Sequence, residues 1–190
     1  LAVDPLEITA SVSVDDKIYD GTTAATLVGI SADVLPGDVV TFSGPAAFRD
    51  KNVGVDKPVD VTEIVLGGPD GGNYLLVDGT GITTTADIFA RALTASYTAA
   101  DKVYDGTTAA TVTGSSADVL PGDLVTFSQS AAFRDPNVGV SKPVDVTAIT
   151  LGGTDGANYA LQNPTATAFA DITGLGLALS YIASDKVYDG

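Results

Sequence analysis

The chain has 190 residues, 24 acidic against 9 basic, a formal net charge of −15, and no Cys, His, Met or Trp. So acidic a surface is a poor partner for nucleic acid, whose phosphates need concentrated Lys and Arg. The missing Cys and His remove most soft metal ligands, nucleophiles and bases, and no disulfide can staple the fold.

One motif organises the rest. Lys17-Ile18-Tyr19-Asp20-Gly21-Thr22-Thr23 returns as Lys102-Val103-Tyr104-Asp105-Gly106-Thr107-Thr108 and begins again at Lys186-Val187-Tyr188-Asp189-Gly190. The tyrosines are spaced by 85 and then 84 residues. That period is too long for a solenoid unit of 20–45 residues, so tandem modules are expected. They divide as 1–89 (module one with the end of a preceding linker), 90–174 (module two) and 175–190 (the first strand of a third). Since the chain begins and ends within this pattern, without a basic leader or an apolar run of membrane length, a window of a longer exported protein is expected.

In chain order, Ile8–Val14 alternates apolar with small or polar residues, the period of a half-buried strand. Tyr19-Asp20-Gly21 reads as a turn, Gly taking positive φ and Asp closing an Asx-turn. Thr22–Val28 reads as a second strand. Leu35-Pro36-Gly37-Asp38, repeated at Leu120-Pro121-Gly122-Asp123, is a type II turn signal. Strands are expected at Val39–Ser43, Val59–Val61 and Ile64–Leu66. Gly71-Gly72-Asn73-Tyr74 and Gly156-Ala157-Asn158-Tyr159 then turn the chain into closing strands such as Leu75–Val77. No window shows a capped 3.6-residue period. The predicted fold is therefore all-β: tandem β-sandwich-like modules, Ig-like or β-grasp-like, of six to eight strands each, arranged as an extended rod. Thr83 to Tyr104 lacks both Gly and Pro, which predicts a stiff first junction; Thr173-Gly174-Leu175-Gly176 offers a hinge at the second.

Candidate chemistry is sparse. Gly67-Gly68-Pro69-Asp70-Gly71-Gly72 lacks the Lys-Ser/Thr and the helix of a phosphate loop, and reads as a turn. All acids but Glu7 and Glu63 are Asp, a residue that closes turns. No Ca²⁺ loop pattern is present, and no cofactor is expected; the open alternative is Ca²⁺ gathered by Asp15, Asp16, Asp20, Asp101 and Asp105 where modules meet. Seven of nine basic residues recur: Lys17, Lys102 and Lys186; Arg49 and Arg134; Lys57 and Lys142. A Lys on a strand beside Asn or Asp also raises an autocatalytic isopeptide bond, against which surface ion pairs are the expectation.

The ordered landmarks are Lys-x-Tyr-Asp-Gly-Thr-Thr, then Phe-Arg-Asp-x-Asn-Val-Gly-Val, then Leu-Gly-Gly with Asn-Tyr, closing on Ala86-Asp87-Ile88 and Ala170-Asp171-Ile172. Together they resemble the YDG repeat domain of large bacterial exoproteins, the filamentous-haemagglutinin-like, two-partner-secreted adhesins. The resemblance implies an extracellular or cell-surface repeat without catalytic residues, acting as a stalk or spacer in attachment, aggregation or biofilm matrix. Its partners would be neighbouring repeats of the same chain. The alternative is a repeat that itself binds polysaccharide, host glycan or a neighbouring adhesin. The repeat signature to locate in the fold is Lys17, Tyr19, Asp20, Gly21, Asn73 and Tyr74 in the first copy, with Lys102, Tyr104, Asp105, Gly106, Asn158 and Tyr159 in the second.

Overall fold

The computed structural model describes residues 3–190. Almost all regular structure is β, with two 3-10 turns at Gly71–Asn73 and Gly156–Asn158. No described helix is long and apolar enough to cross a membrane. The chain divides into two compact units. The first holds residues 1–95 with 116–128 and 150–163, the second 96–115, 129–149 and 164–190. Compactness therefore does not follow the sequence period: the first unit takes in three stretches of repeat two.

The strands of repeat one are β1 (Leu6–Ile8), β2 (Ser11–Val14), β3 (Lys17–Ile18), β4 (Ala24–Ala25), β5 (Leu27–Ile30), β6 (Thr41–Ser43), β7 (Ala46–Phe48), β8 (Gly54–Glu63), β9 (Val65–Gly67), β10 (Tyr74–Leu76) and β11 (Thr80–Phe89). A five-stranded sheet runs β3-β11-β8-β7-β4; β1 pairs parallel with β10, whereas β2 pairs antiparallel with β5 and β6 antiparallel with β9. The long strand β8 shows the period of two: Val59 and Val61 are buried, while Asp60 between them points outward to Arg49. Ile8, Phe48, Ile64, Ala86 and Ile88 are also buried in this unit.

Repeat two contributes β12 (Arg91–Leu93), β13 (Ser96–Ala99), β14 (Lys102–Val103), β15 (Val112–Ser115), β16 (Thr126–Phe133), β17 (Gly139–Gly152), β18 (Tyr159–Leu161) and β19 (Ala166–Thr173). The pair β12 and β18 lies in the first unit. In the second, β13 pairs with β15, and β19 pairs with β14 and with β17. The core there is Phe133, Val144, Ala168, Ala170 and Ile172, flanked by Tyr97, Val112 and neighbouring alanines.

Three expectations need correcting. Thr22–Val28 is not one strand: Thr22 and Thr23 lie in the turn, β4 joins the five-stranded sheet and β5 pairs with β2. Repeat one also has more and shorter strands than the six to eight expected. Gly44-Pro45 separates β6 from β7 where Gln129-Ser130 lets β16 run through, because Pro has no N–H to give the ladder. The turns expected at Asn73 and Asn158 are present, as 3-10 turns. Residues 174–190 form no strand, whereas their counterparts β1 and β12 pair with strands late in their own repeats.

Turn chemistry agrees with the sequence. Gly37 has φ +102° and the Asp38 N–H donates to the Leu35 carbonyl at 3.1 Å, a type II turn. At the first junction only Ala90 separates β11 from β12.

Candidate functional site: the repeat junction

The Lys-x-Tyr-Asp-Gly signature builds a closed turn in each copy. Lys17 Nζ donates to Asp20 Oδ1 at 2.8 Å and to the carbonyls of Thr22 and Ala24, both at 2.9 Å, and stands 5.5 Å from the centre of the Phe48 ring. Asp20 also accepts from the Thr22 N–H, and Gly21 takes φ +79°. Burial pushes the Asp20 carboxyl up, but hydrogen bonds from Lys17 and Thr22 outweigh it and leave it below its ordinary value. Lys102, Asp105, Gly106 and Thr107 repeat this in the second unit, where the Lys102 ammonium leads in lowering Asp105 to about 2. These residues shape a turn. Among the described residues no three carboxylates stand together as a metal-holding group, and Asp16 and Asp101 each accept a backbone N–H, from Asp87 and Asp171 respectively.

What the turn presents is the tyrosine. β3 lies parallel to the end of β11, and the Tyr19 N–H donates to the Phe89 carbonyl at 2.8 Å, so Tyr19 sits where repeat one passes into repeat two. Its side chain is 0% exposed. The hydroxyl donates to Asp123 Oδ2 at 2.9 Å, and the ring meets Tyr159 edge-on at 5.6 Å.

The receiving surface is made by two turns of repeat two, Leu120-Pro121-Gly122-Asp123 and Gly156-Ala157-Asn158-Tyr159. The Tyr159 hydroxyl accepts from the Leu120 N–H at 2.9 Å and donates to Asp123 Oδ2 at 2.6 Å, locking the Asn-Tyr turn onto the Pro-Gly-Asp turn. Asp155 accepts from the Leu124 N–H at 2.9 Å. Lys51, in the loop between β7 and β8, reaches across to Asp123 at 3.0 Å and Asp155 at 3.2 Å, with its ammonium 5.7 Å from the Tyr19 ring centre. Beside it, Asn158 accepts from the Val53 N–H at 3.0 Å and donates to Asn52 at 3.2 Å. All these residues belong to the first unit.

The electrostatics are those of a satisfied buried carboxylate. The Asp123 side chain is 4% exposed, and burial raises its carboxyl. Tyr159, Lys51 and Tyr19 more than offset this by hydrogen bonding, so Asp123 stays ionised. Burial, then the hydrogen bond to Asp123, pushes the Tyr159 phenol up to about 12; Tyr19 is raised chiefly by burial. Tyr19, and behind it Asp123 and Asp155, hold the Lys51 ammonium above its usual value.

The signature residues thus fall into two groups. Tyr19, Asn158 and Tyr159 meet. Tyr104 lies in the second unit and is 39% exposed. Tyr74 repeats the local lock of Tyr159, donating to Asp38 at 2.6 Å, but Asn73 beside it is exposed. Reading the sequence missed Lys51, Asn52, Asp123 and Asp155. Lys51 does not recur, its counterpart being Pro136, and that difference between the copies is the signal the sequence holds.

The model of the YDG domain matches residues 4–84 and 90–168. No curated protein and no solved structure matches the chain. With two adjacent copies covering most of its length, and with the residues of their signature forming the turns and the junction described above, the chain belongs to the YDG domain family.

Proposed function

We propose that the chain is a non-catalytic spacer in an exported bacterial surface protein of the filamentous-haemagglutinin-like kind. Its repeats stack as a stiff stalk that carries an adhesive part away from the cell. It works without cofactor, outside the cell, and its partners are neighbouring repeats. The observation that carries this reading is the Tyr19, Lys51, Asp123 and Tyr159 cluster, which fastens one repeat to the next within a single compact unit. A stalk needs its repeats joined by side chains as well as by the chain itself, since a flexible tether collapses toward a coil. The one-residue connection at Ala90 supports the same reading.

The second reading, a repeat that binds polysaccharide, draws on a hollow of about 320 Å³ in the first unit lined by Ile30, Ser31, Val34, Asp38 and Phe42. Sugar faces are held by exposed aromatic rings, and Phe42 is half-buried, which favours the spacer.

Small-angle scattering on the full chain tests the proposal. An extended particle with a narrow distance distribution is expected. A broad distribution, or a particle folded back on itself, contradicts the stalk and returns the binding reading to the front.

A further inference from the structure

Each repeat carries two faces. One is the Tyr-Asp-Gly face: Tyr19, Lys51, Asn52 and Val53 in repeat one. The other is a socket: Leu120, Asp123, Asp155, Asn158 and Tyr159 in repeat two. At the first junction these meet. The socket of repeat one has the same residues at the same places, Leu35, Asp38, Asp70, Asn73 and Tyr74. It is built in the same way: the Leu35 N–H donates to the Tyr74 hydroxyl at 3.0 Å and the Val39 N–H to Asp70 at 2.8 Å. Yet Leu35 is 55% exposed and Asn73 is exposed, whereas Asn158 is 3% exposed. The socket of repeat one is formed and uncovered.

The Tyr-Asp-Gly face of repeat two is uncovered too, with Val138 57% exposed where Val53 is half-buried. It differs in one residue that matters to charge. Pro136 stands at the place of Lys51, in a loop closed by the same Asx-turn, since the Asn52 N–H donates to Asp50 at 2.9 Å and the Asn137 N–H to Asp135 at 2.9 Å.

We propose that the socket of repeat one is a docking site for the Tyr-Asp-Gly face of another YDG repeat, and that the residue at the position of Lys51 sets the strength of docking. This rests on the spacer reading, which needs repeats to join face to socket. A tyrosine hydroxyl brought against Asp38 must leave two carboxylates, Asp38 and Asp70, partly desolvated. A lysine at the position of Lys51 compensates them, as it does for Asp123 and Asp155; a proline leaves them uncompensated. A face bearing lysine is therefore the cognate occupant, and one bearing proline binds weakly. Such a contact is heterologous, so a chain with a cognate free face adds to the next copy without closing.

The test is Pro136→Lys in the full chain, which gives the free face of repeat two the missing ammonium in a loop that already accommodates lysine in repeat one. Sedimentation velocity across a concentration series is expected to show head-to-tail association about tenfold or more tighter than in the unsubstituted chain, the effect of one charge-assisted hydrogen bond. It should weaken with added salt. Adding Asp38→Asn and Asp70→Asn, which keep the acceptors for Tyr74 and Val39, should return it to the unsubstituted level. Equal association of Pro136→Lys and the unsubstituted chain overturns the proposal. So does association that survives the two asparagines, as pairing through the exposed residues 174–190 would. The stalk itself stands or falls separately, on the scattering of the unsubstituted chain.

Discussion

Asp123 is the acceptor around which the first junction forms, and it is served by three donors from both repeats: Tyr19, Tyr159 and Lys51. A carboxylate so little exposed would be costly without them, so each donor matters more than a surface partner would. The exposed pairs Arg49 with Asp60 and Arg134 with Asp145, though well aligned, contribute little by comparison. Tyr19→Phe removes one donor and leaves the ring packing in place. A loss of about 1–2 kcal/mol is expected in thermal or denaturant unfolding of the full chain. Tyr104→Phe, at the equivalent but exposed tyrosine, is expected to stay within about 0.5 kcal/mol. Equal losses from both would mean that the Tyr19 hydroxyl has no special part in the junction.

At the scale of elements, the closing Ala-Asp-Ile of each repeat holds an irregularity in the long antiparallel pair, β8 with β11 and β17 with β19. Asp56 and Ser141 adopt φ +49° and +50°, where β8 and β17 shift register against β11 and β19. Non-glycine residues take this conformation at a cost, and a bulge frees an N–H from the ladder. Asp87 accepts that N–H from Asp56 at 2.8 Å, and Asp171 the one from Ser141 at 2.7 Å. Asp171→Ala leaves the Ser141 N–H without its acceptor, and a loss of about 1–2 kcal/mol is expected in unfolding, with faster amide exchange at Ser141. Unchanged exchange there would remove the bulge from the explanation of this motif. These elements also show what a sequence displays and what it hides. The turns at Gly21 and Gly37 were legible because φ and the Asx bond are local. So was the alternation of Val59, Asp60 and Val61. The parallel pairing of β1 with β10, the bulge and the split of Thr22–Val28 between two sheets depend on partners far along the chain, which no local pattern reports. Lys51 was illegible for a related reason: only the neighbouring repeat gives it a role.

For the whole molecule, the period of 85 residues marks how the sequence was duplicated, while the compact units mark where side chains meet, and the two do not coincide. Residues 116–128 and 150–163 belong by sequence to repeat two and by contact to repeat one. The socket of repeat two is therefore stabilised by the face it receives. Hydrogen exchange read by mass spectrometry on the full chain, with and without Val59→Ala in the buried part of β8, tests this most directly. The substitution opens a cavity in repeat one and is expected to lower its stability by about 1–3 kcal/mol. Exchange should then quicken in 116–128 and 150–163 along with repeat one, while 129–149 and 164–173 keep their protection. If 116–128 and 150–163 instead keep pace with the rest of repeat two, untouched by Val59→Ala, the repeats are independent beads and the junction does not fasten them.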